Sequence, residues 1–313
     1  MGGKGVRLFQ AVLIAALLAP SLASAQTSPQ SASPSSLPAE GPTAFLQVQG
    51  NSTPLGLVIG YDVDIGYNLT SHLGADIGFP FVSVRSPLTL VANHDWMWTT
   101  LVAEPYVAVH YTTTWSGANI TSVLTGTIPA ANMIRIFSTG RVGVDWFNHI
   151  EPEEAIFKGF TPFVNLGASN GAVNRFYMPR PYTSARPYQT LGFMGDFEGG
   201  VTYEVRKHYK IGASAYAIVP AGPQKVFSRL VTPGSSVVGD KNHGRTFYSA
   251  FETVGHQEID RDNGFSGWLE LTGAQNVNVQ IGYTRSVKYA LDSVTLVVKL
   301  DATSLIRTIT GRK

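Results

Sequence analysis

Asp62, Asp64, Asp76, Glu104, His110, Arg141, Asp145, His149, Asp196, Glu198, Glu204, Arg206, Glu270, Lys288, Lys299 and Asp301 occupy the polar phase of stretches in which apolar and polar residues alternate. A strand sends successive side chains to opposite faces, so a period of two gathers these groups on one face and the apolar residues on the other. Acids, bases and two histidines on one face can select ions or hold a polar solute. In a closed interior they can instead pair with one another. Covalent chemistry needs more. A lipid hydrolase would require His110 or His149 beside a serine, and strand spacing alone does not set that neighbour.

Three further patterns spell chemistry. Gly167-Ala168-Ser169-Asn170-Gly171 has the letters of a nucleophile elbow. That turn needs a helix after the serine, and the proline-bearing stretch that follows cannot supply one. His256, Glu258, Asp260 and Asp262 alternate like oxygen ligands on a strand, without the glycine or register of a calcium loop; a solvated outer hairpin is the expectation. From Asn170 to Gln189, Arg175, Arg180 and Arg186 stand among Tyr177, Tyr182 and Tyr188. Guanidinium forks and stacking rings suit a constriction loop or an anionic or aromatic ligand. No metal and no cofactor are expected.

The elements that must position the charges are long strands. Leu57, Ile59, Tyr61, Val63, Ile65, Tyr67 and Leu69 alternate with Gly60, Asp62, Asp64, Gly66 and Asn68, and the parity resumes from Leu73 to Phe81. Strands crossing a bilayer as part of a barrel need about 9–11 tilted residues, apolar toward lipid and polar toward the lumen. The same texture recurs along the chain and predicts an all-β, antiparallel transmembrane β-barrel of about twelve strands spanning residues 44–303. Pro105 predicts a bulge or unpaired site. The turns at Thr70, Lys207 and Gly273 are short, and the excursions after Ser86, Asn170 and Pro220 are long. Short periplasmic turns and long outer loops put the N-terminus in the periplasm. Tyr61, Tyr67, Phe81, Tyr111 and Trp146 fall on the apolar phase, where aromatic girdles form.

Composition agrees with a face turned to lipid: among 313 residues, 14% are charged against the roughly 25% usual in soluble domains. The formal net charge of +2 has no clustered basic face, which argues against nucleic acid as a partner. Lys4 and Arg7 precede an apolar run from Leu8 to Leu18, and Ala23-Ser24-Ala25 follows, so residues 1–25 read as a secretory signal peptide. Residues 26–43, rich in Ser, Pro, Ala and Gln, read as a disordered linker, and residues 304–313 as a tail. Cysteine is absent, so order must come from barrel closure rather than disulfides.

Ser138-Thr139-Gly140-Arg141 with Asp145-Trp146-Phe147-Asn148-His149, Phe197-Glu198-Gly199-Gly200, and Gly212-Ala213-Ser214-Ala215-Tyr216 resemble segments of a family of uncharacterised bacterial outer-membrane barrels. They are similar, more loosely, to transporter-like barrels associated with aromatic-compound degradation. The resemblance implies the cell outer membrane, a barrel fold, outer-membrane lipid and the barrel-assembly machinery as partners, and a small solute. Many such barrels end on an aromatic residue, whereas this sequence ends in Ile309-Thr310-Gly311-Arg312-Lys313. The expectation is a channel or transporter for a small solute, hydrophobic or aromatic in character. A plugged adhesive or structural barrel and the lipid hydrolase are the alternatives.

Overall fold

The computed structural model describes residues 40–53, 56–85, 99–102, 104–129, 142–157, 159–171, 188–206, 208–228, 252–255, 261–274, 277–288 and 290–303. The signal peptide, most of the linker, the C-terminal tail, Arg141 and the loop residues Arg175, Tyr177, Arg180, Tyr182 and Arg186 lie outside the described residues.

Fifteen strands form one antiparallel sheet. They are β1 (Gly41–Thr53), β2 (Gly56–Asn68), β3 (Leu73–Arg85), β4 (Thr99–Val102), β5 (Tyr106–Trp115), β6 (Ala118–Thr127), β7 (Gly143–Pro152), β8 (Phe160–Gly171), β9 (Tyr188–Arg206), β10 (Tyr209–Pro220), β11 (Gln224–Ser228), β12 (Glu252–Gly255), β13 (Asp262–Ala274), β14 (Val277–Ser286) and β15 (Leu291–Asp301). Each wall strand pairs with its sequence neighbours, and β1 pairs with β15, so the sheet closes on itself. With β4 and β5 taken as one interrupted strand and β11 and β12 as an outlying hairpin, the wall has twelve strands. Pairing of the first strand with the last closes the ladder, the condition for spanning hydrocarbon with strands.

The interruption falls at Glu104 and Pro105. Gly78 faces Tyr106 while Phe81 faces Val102, so the β4–β5 side spends one more residue than β3 over the same span. That extra residue is a bulge at the position where proline removes a ladder donor. Pro105 still contributes its carbonyl, which accepts from Ile128 N at 2.8 Å. At the opposite rim, β5 turns into β6 through Ser116 and Gly117, with φ of 53° and 77°. Two successive positive φ values make the tight hairpin turn whose twist matches the strands, and glycine carries the second at no steric cost.

The N-terminal boundary differs from expectation. Gly41, Pro42 and Thr43, expected in the linker, pair with Asn68, Tyr67 and Gly66, and Thr43 is buried. Composition read these residues as unstructured; an available partner strand overrides it. β7 runs on to Pro152 because β6 offers partners as far as Ala118. β11 pairs with the first residues of β9 and β12 pairs with β11, extending the wall beyond the barrel proper.

Burial is inverted relative to a soluble protein. Along β2, Tyr61, Val63, Ile65 and Tyr67 are exposed while Asp62, Asp64 and Asn68 are buried. Ile77, Phe79, Val107, Val109, Val144, Trp146, Val164, Leu166, Phe197, Ile211, Phe265 and Val294 repeat this around the circumference. An apolar surface this extensive, on every side of a closed wall, suits hydrocarbon and not water. Tyr67, Tyr111, Phe160, Tyr203 and Tyr209, all exposed, stand close to the short-turn rim, where amphipathic rings favour a bilayer interface.

Candidate functional site: the inner wall

The side chains that alternate with the lipid-type residues converge on the barrel interior. Asp62, Asp64, Asp76, Glu104, Glu151, Asp145, Asp196, Glu198 and Asp262 are buried there, and the inner-phase lysines among the described residues are Lys210 and Lys299. Glu204, Lys210, Glu270, Lys299 and Asp301 share the inner phase with partial exposure. Two lysines against this many carboxylates leave the described inner wall strongly negative. Lys288, assigned inward by parity, is instead exposed in the turn between β14 and β15, where alternation no longer applies. Arg206 closes β9.

The first cluster spans β2, β3 and β5. Tyr106 donates its hydroxyl to Asp62 Oδ2 at 2.6 Å and lies 3.4 Å from Asp64 Oδ2. His110 Nδ1 lies 2.8 Å from Asp76 Oδ2, and its Nε2 is 3.4 Å from Asn68 Oδ1. Asp62 Oδ1 is buried with no hydrogen-bond partner among the described residues. Tyr106 shares the parity of Ala108 and His110, which turns it inward, and its register opposite Gly78 brings it to the aspartates. A Cβ at Gly78 would sit 2.0 Å from Tyr106 Cζ, so the phenol reaches the aspartates only because position 78 is glycine.

A second chain of contacts crosses β7, β8 and β9. His149 Nε2 is 3.4 Å from Glu151 Oε2, and His149 Nδ1 is 2.7 Å from Asn165 Oδ1. Asn165 Nδ2 in turn donates to Glu198 Oε2 at 2.8 Å. These contacts of His110 and His149 are with carboxylates and amides. Ser169, the serine of the elbow-like spelling, is a buried residue within β8. Asp262 begins β13 on the inner face, where Ser286 Oγ donates to its Oδ1 at 2.6 Å. It is therefore part of the barrel wall and not of an outer hairpin; His256, Glu258 and Asp260 lie outside the described residues.

Half a circumference from the first cluster, the inner wall is aromatic. Phe163 of β8 and Trp268 of β13 approach to 6.0 Å between ring centroids, with His149 5.6 Å from Phe163. Each of the two rings lies over a glycine of a neighbouring strand: an added Cβ would be 2.4 Å from Phe163 at Gly200 and 2.1 Å from Trp268 at Gly212. Rings covering cross-strand glycines recover the contacts that glycine lacks. Met194, Tyr216 and Ile218 continue this apolar surface along β9 and β10 toward the long-loop end. Sequence reasoning missed these rings, because a strand aromatic on the polar phase carries no signal beyond its parity. The glycine directly across the ladder is the cue that would have found them.

The glycine seats make a stability prediction. Gly212→Ala should cost about 1–3 kcal/mol through overpacking against Trp268. Gly126→Ala, with nothing within 4 Å of the new Cβ, should stay within about 0.5 kcal/mol. Urea unfolding of both variants in lipid vesicles checks the difference.

No protein-family model matches the chain, and no curated protein matches it. Solved structures with a similar course are outer-membrane barrel channels and transporters. An outer-membrane channel from Pseudomonas putida F1 is 11% identical, with 88% of this chain and 100% of that one covered at a TM-score of 0.49. The NanC porin is 9% identical over 82% of this chain and 98% of its own, at 0.46. The Ralstonia pickettii toluene transporter TbuX is 9% identical over 84% and 90%, at 0.41. Likeness at this level leaves solute and mechanism to this chain's own residues.

Proposed function

We propose that this protein is an outer-membrane channel that passes a small solute through a narrow, acid-lined lumen and prefers cations. The observation that carries the reading is the inner wall: nine buried carboxylates against two inner-phase lysines, Lys210 and Lys299, among the described residues. Such a wall concentrates cations and repels anions by its summed field. The apolar exterior supplies the complementary fit to lipid. Short turns at one rim and long excursions at the other support a periplasmic N-terminus, with outer-membrane lipid and the barrel-assembly machinery as the partners of biogenesis. Aromatic rings on the inner wall support a solute with hydrophobic or aromatic character. Catalysis has no part in the proposal, in which His110 sits against Asp76 and Asn68 and His149 against Glu151 and Asn165.

One observation favours a second reading, a closed structural barrel: the inner side chains are covered, with Asp62 at 2%, Thr112 at 1% and Asp145 at 4% exposure. Planar-bilayer recording of the detergent-folded protein separates the two. Discrete, small conductance steps are the expected result. Silence from protein shown to have inserted would establish the closed barrel instead.

A further inference from the structure

The inner wall carries acids around its circumference, Asp196 and Glu198 on β9 among them, whereas the Phe163 and Trp268 rings gather on one side of it. β2 and β9 are six strands apart in either direction around the twelve-stranded wall. The acidic cluster of Asp62, Asp64 and Asp76 on β2 and β3 therefore stands diametrically opposite β9 and β10, whose inner surface is roofed by Phe163 and Trp268. We propose that the lumen binds amphiphilic amines, with the ammonium on the acidic wall and a flat apolar body against Trp268 and Phe163. This specifies the solute of the channel proposed above and rests on that reading for its role in passage, though not for binding.

Among the buried inner-wall atoms without a hydrogen-bond partner, one lies in the acidic cluster and one on the aromatic patch. Asp62 Oδ1 and Trp268 Nε1 both lack a hydrogen-bond partner among the described residues, although Asp62 and Trp268 are only 2% and 6% exposed. An ammonium satisfies the first as a charge-assisted donor. The indole N–H is a donor only, so it calls for an acceptor such as a solute oxygen or a water carried with the solute. A ring lying against Trp268 and Phe163 gains stacking and apolar burial, while the negative wall excludes the corresponding carboxylates. A simple inorganic cation would use the acids and leave the Phe163 and Trp268 rings idle. A neutral hydrocarbon would do the reverse.

Calorimetric titration of the folded, detergent-solubilised full barrel tests this without requiring conductance. 2-Phenylethylammonium is expected to bind about tenfold more tightly than ethylammonium, through ring burial and stacking. It should outcompete phenylacetate by more, because the acidic wall opposes a second carboxylate. Trp268→Ala should remove the preference for the ring, Trp268→Phe should keep part of it, and Asp62→Asn should weaken the ammonium without restoring phenylacetate. Phe163→Leu serves if Trp268→Ala does not fold. Equal affinities for phenylethylammonium and ethylammonium, or a preference that survives both ring substitutions, would overturn the proposal. Binding as expected by a barrel that passes no current would uphold it and overturn the channel reading. Current without discrimination would do the opposite.

Discussion

Replacing Asp62, Asp64 and Asp76 together by Asn should lower the cation-to-anion permeability ratio by about tenfold in low salt. A carboxylate about 6 Å from a passing ion contributes roughly 0.7 kcal/mol in a water-like dielectric, favouring a cation and opposing an anion, or about tenfold in the ratio per charge. Screening and the pairing of these acids with Tyr106 and His110 reduce that, so about tenfold is expected for the three together. The substitution is nearly isosteric, so Tyr106 retains a side-chain partner at position 62 and the wall keeps its shape. Reversal potentials of wild type and triple variant in the same salt gradient measure the effect. A ratio unchanged by the triple substitution would mean that permeating ions do not pass this cluster.

The second large effect comes from placing one side chain at two adjacent positions. Val63→Arg puts a guanidinium on the lipid face, where it should cost about 2–4 kcal/mol near the bilayer midplane. Asp64→Arg, one residue along β2, turns the same side chain toward Asp62 and Asp76. It should cost far less in stability but shift selectivity toward anions. Unfolding in lipid vesicles and bilayer recording report the two halves of the prediction. Equal destabilisation at 63 and 64 would contradict the assignment of faces, because a period of two admits no other sharing of inside and outside.

The fold was legible because parity is a strong signal when one face meets lipid and the other does not. β2 and β3 carry it over thirteen residues each, and the acids on that phase could be read as one inner set. Boundaries were less legible where pairing overrode composition, as at Gly41–Thr43. Parity also failed at Lys288, because alternation stops at a turn. What one strand's sequence cannot contain is the register to the next. Tyr106 beside Asp62, Trp268 over Gly212 and Phe163 over Gly200 are all cross-strand facts, fixed by ladders between residues tens of positions apart. The inner acids were therefore readable as a list of residues, whereas the aromatic patch and its place across from Asp62, Asp64 and Asp76 became visible only once the barrel closed.

The central claim is that an acid-lined lumen passes cations. The most direct test is the reversal potential of single inserted barrels across a tenfold potassium chloride gradient. The account predicts discrete steps whose reversal potential lies toward the potassium equilibrium potential. A reversal potential at zero or toward the chloride equilibrium potential would contradict it.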